Sequence, residues 1–223
     1  MLQMVLTLYH LPMSFPSRAA LWVARAVGVD VDIKILNLLE SEHLKPEFIK
    51  INPQHTVPTL VDGDFVMWDS HAIAGYLVRK YAADDSLYPQ DPKEKAIVDQ
   101  RMFFDAELLF PRIRAICFPV IFLGKTTVDP DKKASILEAM AFLDTFLEGN
   151  PWVAGKKLTI ADYTCVASVT SIVEVGLNIS AFKNVQKWLA RCQSEIPFYK
   201  EVNEPGAKEL GKYVSSRLEP NQF

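Results

Sequence analysis

Asn52-Pro53-Gln54-His55-Thr56-Val57-Pro58-Thr59-Leu60 is the stretch that decides how this chain folds, and it runs through a short hairpin into Trp68-Asp69-Ser70-His71-Ala72-Ile73. A β-rich run, Thr59-Leu60-Val61, follows directly on Val57-Pro58. An X-Pro bond entering a strand is a candidate cis bond, because the tertiary amide cuts the trans preference to about 0.5–1 kcal/mol. Such a turn leaves the Val57 N–H and C=O facing outward, where an extended ligand can pair with them as an added strand would. Asp69-Ser70 then opens a helix, and helix N-termini hold carboxylates. A main-chain clamp beside a carboxylate clamp suits a small acidic peptide.

Working back towards the N-terminus, Val5 to Tyr9 reads as a short apolar strand closed by a loop from His10 to Phe15. Pro16 suits a first helical position. Residues 17 to 27 are apolar on nearly all sides, the pattern of a helix buried against a sheet, and Gly28 is a plausible stop. Val31-Asp32-Ile33-Lys34-Ile35 alternates with period two, a second strand. A polar, helix-capable excursion around Lys45-Pro46-Glu47-Phe48 leads to the opening stretch. Beyond it, Asp62-Gly63 between two apolar runs signals a tight hairpin, and Ser70 to Tyr81 is an amphipathic helix. The order β-α-β, α, β-β, α describes a compact α/β unit over residues 1–82.

Residues 83–92 have linker composition, and no strand pattern survives after them. Residues 93–123 have helical periodicity but contain Pro111 and Pro119, each of which removes an N–H and crowds the carbonyl four residues earlier. The expectation is a bent or broken long helix. Asp129-Pro130 starts the next helix, and Thr159-Ile160-Ala161-Asp162 resembles a capping box that opens a helix apolar all round. Two shorter helices, near 181–195 and 206–218, complete an all-helical unit over residues 93–223. No internal repeat is evident.

Composition excludes several classes. With 223 residues, 49% hydrophobic and 23% charged, the chain has the make-up of a soluble globular protein with a substantial core. A net charge of −3 gives no field to attract nucleic acid or an anionic membrane. The longest apolar run, Ala115 to Leu123, is interrupted by Pro119 and too short to span a bilayer. The N-terminus has no basic region ahead of a long apolar core, so no secretory signal is expected. The three cysteines, Cys117, Cys165 and Cys192, are widely spaced and form no CxxC pair. A reducing, cytoplasmic setting fits, and neither a disulfide framework nor a zinc site is expected.

Several side chains carry two readings each. Ser14 is either a loop or cap serine, or a hydroxyl aimed at a ligand above the sheet edge; with no G-x-S-x-G elbow, a hydrolase triad is not indicated. His43 and His55 are ordinary loop histidines or ligand contacts, too far apart in sequence for a local metal motif. Asp69-Ser70 is a helix cap, or Ser70 and the free helix N–H groups hold a carboxylate while Asp69 accepts from an amine. Phe110, Arg114, Cys117 or Phe118, and Ile121 share one helical face, which is usually core. Arg114 in that stripe is the anomaly, since a buried guanidinium needs a partner; the alternative is that the face lines a cleft.

Taken together, these segments resemble a cytosolic glutathione S-transferase of the insect delta/epsilon type, epsilon above all. The resemblance rests on Ser14-Phe15-Pro16-Ser17-Arg18, the run from Asn37 to Phe48, Asn52 to Leu60, Asp69 to Ile73, Ser86-Leu87-Tyr88-Pro89 and Leu158 to Asp162, in that order. It implies a thioredoxin-like N-terminal domain, an all-helical C-terminal domain, a homodimer, glutathione as co-substrate and no metal. It further implies that Ser14 hydrogen-bonds the glutathione sulfur. His43, His55, Thr56, Val57, Pro58, Asp69, Ser70 and His71 are implied to hold the tripeptide. Phe15, Phe110, Arg114, Cys117, Phe118 and Ile121 are implied to line the pocket for a small hydrophobic electrophile. Thr159 and Asp162 match the family's folding cap. The chain departs from the family pattern in three places: Phe15 stands where a proline is usual, Asp69 where Glu is usual, and Pro111 and Pro119 lie in the pocket helix. Elimination of HCl and reduction of organic peroxides are possible in the same site. The rival reading is a non-catalytic binder of hydrophobic ligands; a disulfide exchanger fits poorly, because the first loop offers serine and no cysteine.

Overall fold

A computed structural model describes residues 6–223, so Val5, where the sequence pattern opens the first strand, lies outside the described residues. Strand β1 (Leu6–His10) runs parallel to β2 (Val31–Ile35), and helix α1 (Phe15–Ala26) crosses between them. The helix is buried along nearly its whole length, as its all-round apolar sequence requires. It begins at Phe15, so Pro16 is its second residue and not its first; the missing N–H costs nothing anywhere in a first turn. Gly28, at φ +75°, ends it in the left-handed conformation that glycine tolerates.

After β2 come a single 3₁₀ turn (Glu42–Leu44) and the short helix α2 (Pro46–Ile49), seated on a small core of Leu36, Phe48 and Val57. The Val57–Pro58 peptide is cis. Strands β3 (Thr59–Asp62) and β4 (Phe65–Trp68) complete an antiparallel edge, giving the order β2-β1-β3-β4. Asp62 pairs with Phe65, so the turn is Gly63-Asp64, one residue later than the Asp62-Gly63 pair suggested. Asp62 instead points inward at the end of β3. Its Oδ2 accepts hydrogen bonds from Tyr76, Lys80 and Tyr81 of helix α3 (Ser70–Tyr81), which has the bounds expected from sequence.

The remainder is helical. Helix α4 (Pro92–Phe104) is capped by Asp91, so Pro92, grouped with the linker by composition, is its first residue. The ladder then widens into a π turn (Asp105–Leu109) before α5 (Phe110–Phe122). The hydrogen-bond pattern thus changes just before Pro111, but the chain stays helical from Pro92 to Phe122, where a bent or broken helix was expected. Pro111 has no N–H for the Glu107 carbonyl, and the Phe110 N–H reaches back five residues to Asp105. Pro119 stays inside α5. Helices α6 (Pro130–Phe146), α7 (Ile160–Val175) and α8 (Lys183–Glu195) follow, then a second π turn (Tyr199–Asn203) and α9 (Glu204–Ser215). The sequence pattern had put this last helix two to three residues later.

Helix α7 is the hub: every residue from Ile160 to Ile172 is buried. Asp162 closes the expected capping box on Thr159 and also accepts from the Val153 N–H (2.9 Å) and the Trp188 indole (3.0 Å). The two halves meet at α1 and α7, where Arg18 is wholly buried. Its guanidinium donates to the carbonyls of Pro12, Met13 and Ala167 and to the side chains of Ser171 and Asn203. No carboxylate among the described residues pairs with it, and burial lowers its pKa to about 9.

Candidate active site

Two adjoining recesses lie where the sheet unit meets the first π turn and α5, one of about 560 Å3 and one of about 260 Å3. Pro16, Thr56, Val57 and Phe110 line both. Every side chain that the resemblance assigns to the tripeptide, the sulfur or the co-substrate borders one recess or the other, although they come from segments more than a hundred residues apart.

Ser14 sits on the floor of the larger recess and is also the N-cap of α1. Its Oγ accepts from the Ser17 N–H at 3.4 Å, a long and weak bond. That bond uses a lone pair and leaves the O–H free to donate, so the cap role and the ligand-facing role coexist. The positive end of α1 points at the same spot. Phe15, next to it, is buried and packs on Phe110 with ring centroids 5.3 Å apart, so the residue that replaces the usual proline bridges the two halves beneath the cleft.

The loop that opened the sequence reading is organised by Asn52. Fully buried, its side-chain amide donates to the Thr56 carbonyl, Thr56 Oγ1 and Thr59 Oγ1, while its oxygen accepts from the Gln54 N–H. Asn52 carries no local signal of this role in the sequence; its hub position is visible only once the loop is folded. Among the described residues neither the N–H nor the C=O of Val57 has a hydrogen-bond partner. That is the state of a strand edge awaiting a ligand. His55, at φ +46°, faces His43 with ring centroids 5.9 Å apart. Burial, and secondarily the neighbouring His55, lower the His43 pKa, and its Nδ1 is buried without a partner.

The smaller recess is walled by Asp69, Ser70 and His71 at the start of α3. Asp69 holds φ +76° without being glycine, a strained backbone of the kind that gathers at functional sites. Its Oδ1 takes the cap hydrogen bonds from the His71 and Ala72 N–H groups, which leaves Oδ2 uncommitted. His71 Nε2 lies 2.8 Å from Asp105 Oδ2 in the π turn, and its Nδ1 lies 3.5 Å from Asp69. Burial by itself would lower the His71 pKa, but the hydrogen bonds and charges of Asp105 and Asp69 outweigh it and raise the pKa to about 9. Burial likewise opposes ionisation of Asp69, and the His71 and Ala72 hydrogen bonds overcome it, holding its carboxyl below the usual range. Asp105 is a site residue that the sequence reading missed. It is buried, lines the recess, and has a second oxygen, Oδ1, without a partner. An acid in an otherwise amphipathic helix looks like a solvated residue until the π turn rotates it inward.

On the α5 side, Phe110, Arg114, Cys117, Phe118 and Ile121 line the larger recess, so the stripe is a cleft wall and not plain core. Of the two readings of Arg114, the cleft-lining one holds: Arg114 is exposed, and its guanidinium lies 4.2 Å over the Phe118 ring. Cys117 is buried, and burial pushes its thiol up to about 12, so it serves as apolar lining. No group of three or more His, Cys, Asp or Glu side chains with metal-site geometry occurs among the described residues. Nor is any described helix long and apolar enough to cross a membrane.

Comparison with known proteins gives a consistent result. The glutathione S-transferase N-terminal domain model matches residues 4–79 and the C-terminal domain model residues 99–195. Glutathione S-transferase 1 of Manduca sexta is 47% identical over 96% of this chain and 100% of its own length. An epsilon-class glutathione S-transferase from the housefly Musca domestica superposes with a TM-score of 0.91 at 45% identity, covering 95% of this chain and 98% of the other. A Drosophila mojavensis glutathione transferase homologue solved with bound glutathione gives a TM-score of 0.92 at 39% identity, over 96% of this chain and 98% of that one.

Proposed function

The chain belongs to the glutathione S-transferase family and is an enzyme of that kind, and we propose that it works by holding the glutathione thiolate at Ser14 and presenting it to hydrophobic electrophiles in the cleft along α5. The observation that carries this is the convergence of three unrelated features on one cleft: the cap hydroxyl of Ser14, the unpaired main-chain groups of Val57 and the apolar wall of α5. The tripeptide lies antiparallel to Val57 beside cis-Pro58. Asp69 Oδ2, Ser70 and His71 take its γ-glutamyl end, and His43, His55 and Thr56 its glycyl end.

A free thiol has a pKa of about 8.5 and is only a few per cent ionised at neutral pH. The Ser14 O–H and the N-terminus of α1 both favour the anion; lowering the pKa by roughly two units takes about 2.7 kcal/mol, within reach of a charge-assisted hydrogen bond and a helix dipole together. The thiolate attacks the electrophilic carbon, a C–S bond forms, and a halide or similar group departs with its bonding pair. Holding both reactants in one cleft supplies much of the remaining acceleration. The same thiolate can take a proton so that chloride leaves, or attack a peroxide oxygen so that an alcohol leaves and a second glutathione releases the disulfide.

Five further assignments belong to this reading. The glutathione-binding domain spans 1–82, a linker 83–92, and the helical domain 93–223. The class is epsilon, and the setting is cytoplasmic, in keeping with three free buried cysteines. The working unit is a homodimer, in keeping with Phe65 and Phe103, which one chain leaves 47% and 63% exposed. Xenobiotic detoxification is the biological role. The decisive assay is Ser14→Ala with glutathione and an aryl halide: wild-type turnover with a large loss in the variant is expected, and a variant as fast as wild type would exclude the serine mechanism.

A further inference from the structure

The larger recess is walled by leucines, phenylalanines and isoleucine, yet it contains a permanent cation. Among the described residues no Asp or Glu lines it, and Arg114 makes neither an ion pair nor a hydrogen bond. Its neighbour on the same helix behaves as a surface arginine normally does: Arg112 pairs with Glu138 at 2.9 Å and donates to the Ser135 carbonyl. Arg114 instead sits over the ring of Phe118, which packs on Phe122 at 4.9 Å. The ring holds the cation by its π face, and no described group takes up its N–H donors.

A wholly apolar ligand filling this cleft would strip water from those donors and give nothing back, a cost that a desolvated charge makes large. A ligand with an anionic group at the same height repays it, because a planar guanidinium binds a carboxylate through paired N–H bonds. The helix sets the spacing. Phe110, packed on Phe15 beside Ser14, marks the reacting end, and Arg114 is one turn further along α5, roughly 6 Å at 1.5 Å per residue. Beyond it Ile121 and Phe122 continue the apolar wall, opposite the partly exposed Leu39 and Leu44.

We propose that Arg114 is an anion receptor within the co-substrate cleft, and that the electrophiles this protein prefers are amphipathic acids, with a carboxylate several bonds from the reacting carbon. The inference rests on reading this cleft as the co-substrate site. Lipid-derived α,β-unsaturated aldehydes with a terminal carboxylate have this chemistry. With such a compound the glutathione sulfur bonds to the β-carbon, the π pair moves onto the carbonyl oxygen, and water returns a proton to the α-carbon.

The test separates binding from turnover. Octanoate and octanol are titrated calorimetrically into the wild-type protein and into Arg114→Met and Arg114→Lys, each with and without saturating S-methylglutathione to fill the tripeptide site. Octanoate should bind wild type about tenfold more tightly than octanol, the worth of one charge-assisted hydrogen bond. Arg114→Met should abolish the difference and leave octanol unaffected, and Arg114→Lys should restore part of it. Equal affinities in wild type, no binding of either compound, or a preference that survives in Arg114→Met overturns the proposal; the last outcome would move the carboxylate to the His43–His55 pair. In parallel, kcat/KM for a medium-chain ω-carboxy enal against its methyl ester should favour the acid only while Arg114 is present. If wild type conjugates neither compound but still prefers octanoate, the anion receptor stands and its assignment to electrophile choice is overturned; failure with an aryl halide as well would remove the serine mechanism.

Discussion

Ser14 and His71 perform different work. The Ser14 side chain makes a single weak intramolecular hydrogen bond, so its loss should barely affect folding. Ser14→Ala should nevertheless lower kcat/KM roughly tenfold to thirtyfold at neutral pH, as the ionised share of the bound thiol falls from most of it to a few per cent, with a melting temperature close to wild type. His71 acts through its charge. Its pKa is raised to about 9, so the folded protein binds its proton more tightly than the unfolded chain does. The stability this contributes is therefore complete below the unfolded value of about 6.5 and is lost as pH rises through about 9. Replacing His71 by Asn should cost more stability at about pH 6 than at about pH 9.5, measured by denaturant unfolding; an equal cost at both would mean that the pair is not ionic. The residues of this site were largely legible, because Ser14, Asp69 and the Val57-Pro58 bond each carry a local signal in cap or turn chemistry. Asp105 and Asn52 were not, because their roles depend on partners supplied only by the folded chain.

At the scale of elements, periodicity and caps located the helices and strands well, and the differences have physical causes. Asp62-Gly63 looked like a turn, but three hydrogen-bond donors on α3 draw Asp62 into β3 and push the turn one residue along. Pro111 suggested a bend or break where the helix only widens; the π turn that accommodates it is also what aims Asp105 at His71. The capping box was legible in full, though not its extra duty of satisfying Val153 and Trp188. Asp162→Ala strands several buried donors at once and should cost about 3–5 kcal/mol, read as a shift of the unfolding midpoint; a loss under about 1 kcal/mol would reduce the box to an ordinary exposed cap. Gly206 at the start of α9 also matters, since a Cβ there would come within 2.1 Å of the Pro12 carbonyl. Gly206→Ala should displace the loop that carries Ser14 and lower turnover as well as stability.

Across the whole molecule, the catalytic loop is fastened to the helical half by one buried cation. Arg18 binds the carbonyls of Pro12 and Met13 on one side and Ala167, Ser171 and Asn203 on the other. The sequence gives Arg18 no role beyond its place in the Ser14-to-Arg18 run, since an arginine in the first turn of a helix can reach solvent. Arg18→Lys keeps the charge but loses the fork, and should destabilise the protein by about 3 kcal/mol or more. The central claim is that this scaffold holds a glutathione sulfur anionic at Ser14. It is tested most directly by titrating the ultraviolet thiolate absorbance of enzyme-bound glutathione with pH. The bound thiol should ionise near pH 6.5, about two units below free glutathione, and in Ser14→Ala it should return most of the way to about 8.5. A bound thiol that titrates like the free peptide, or the same depressed value in the variant, would contradict it.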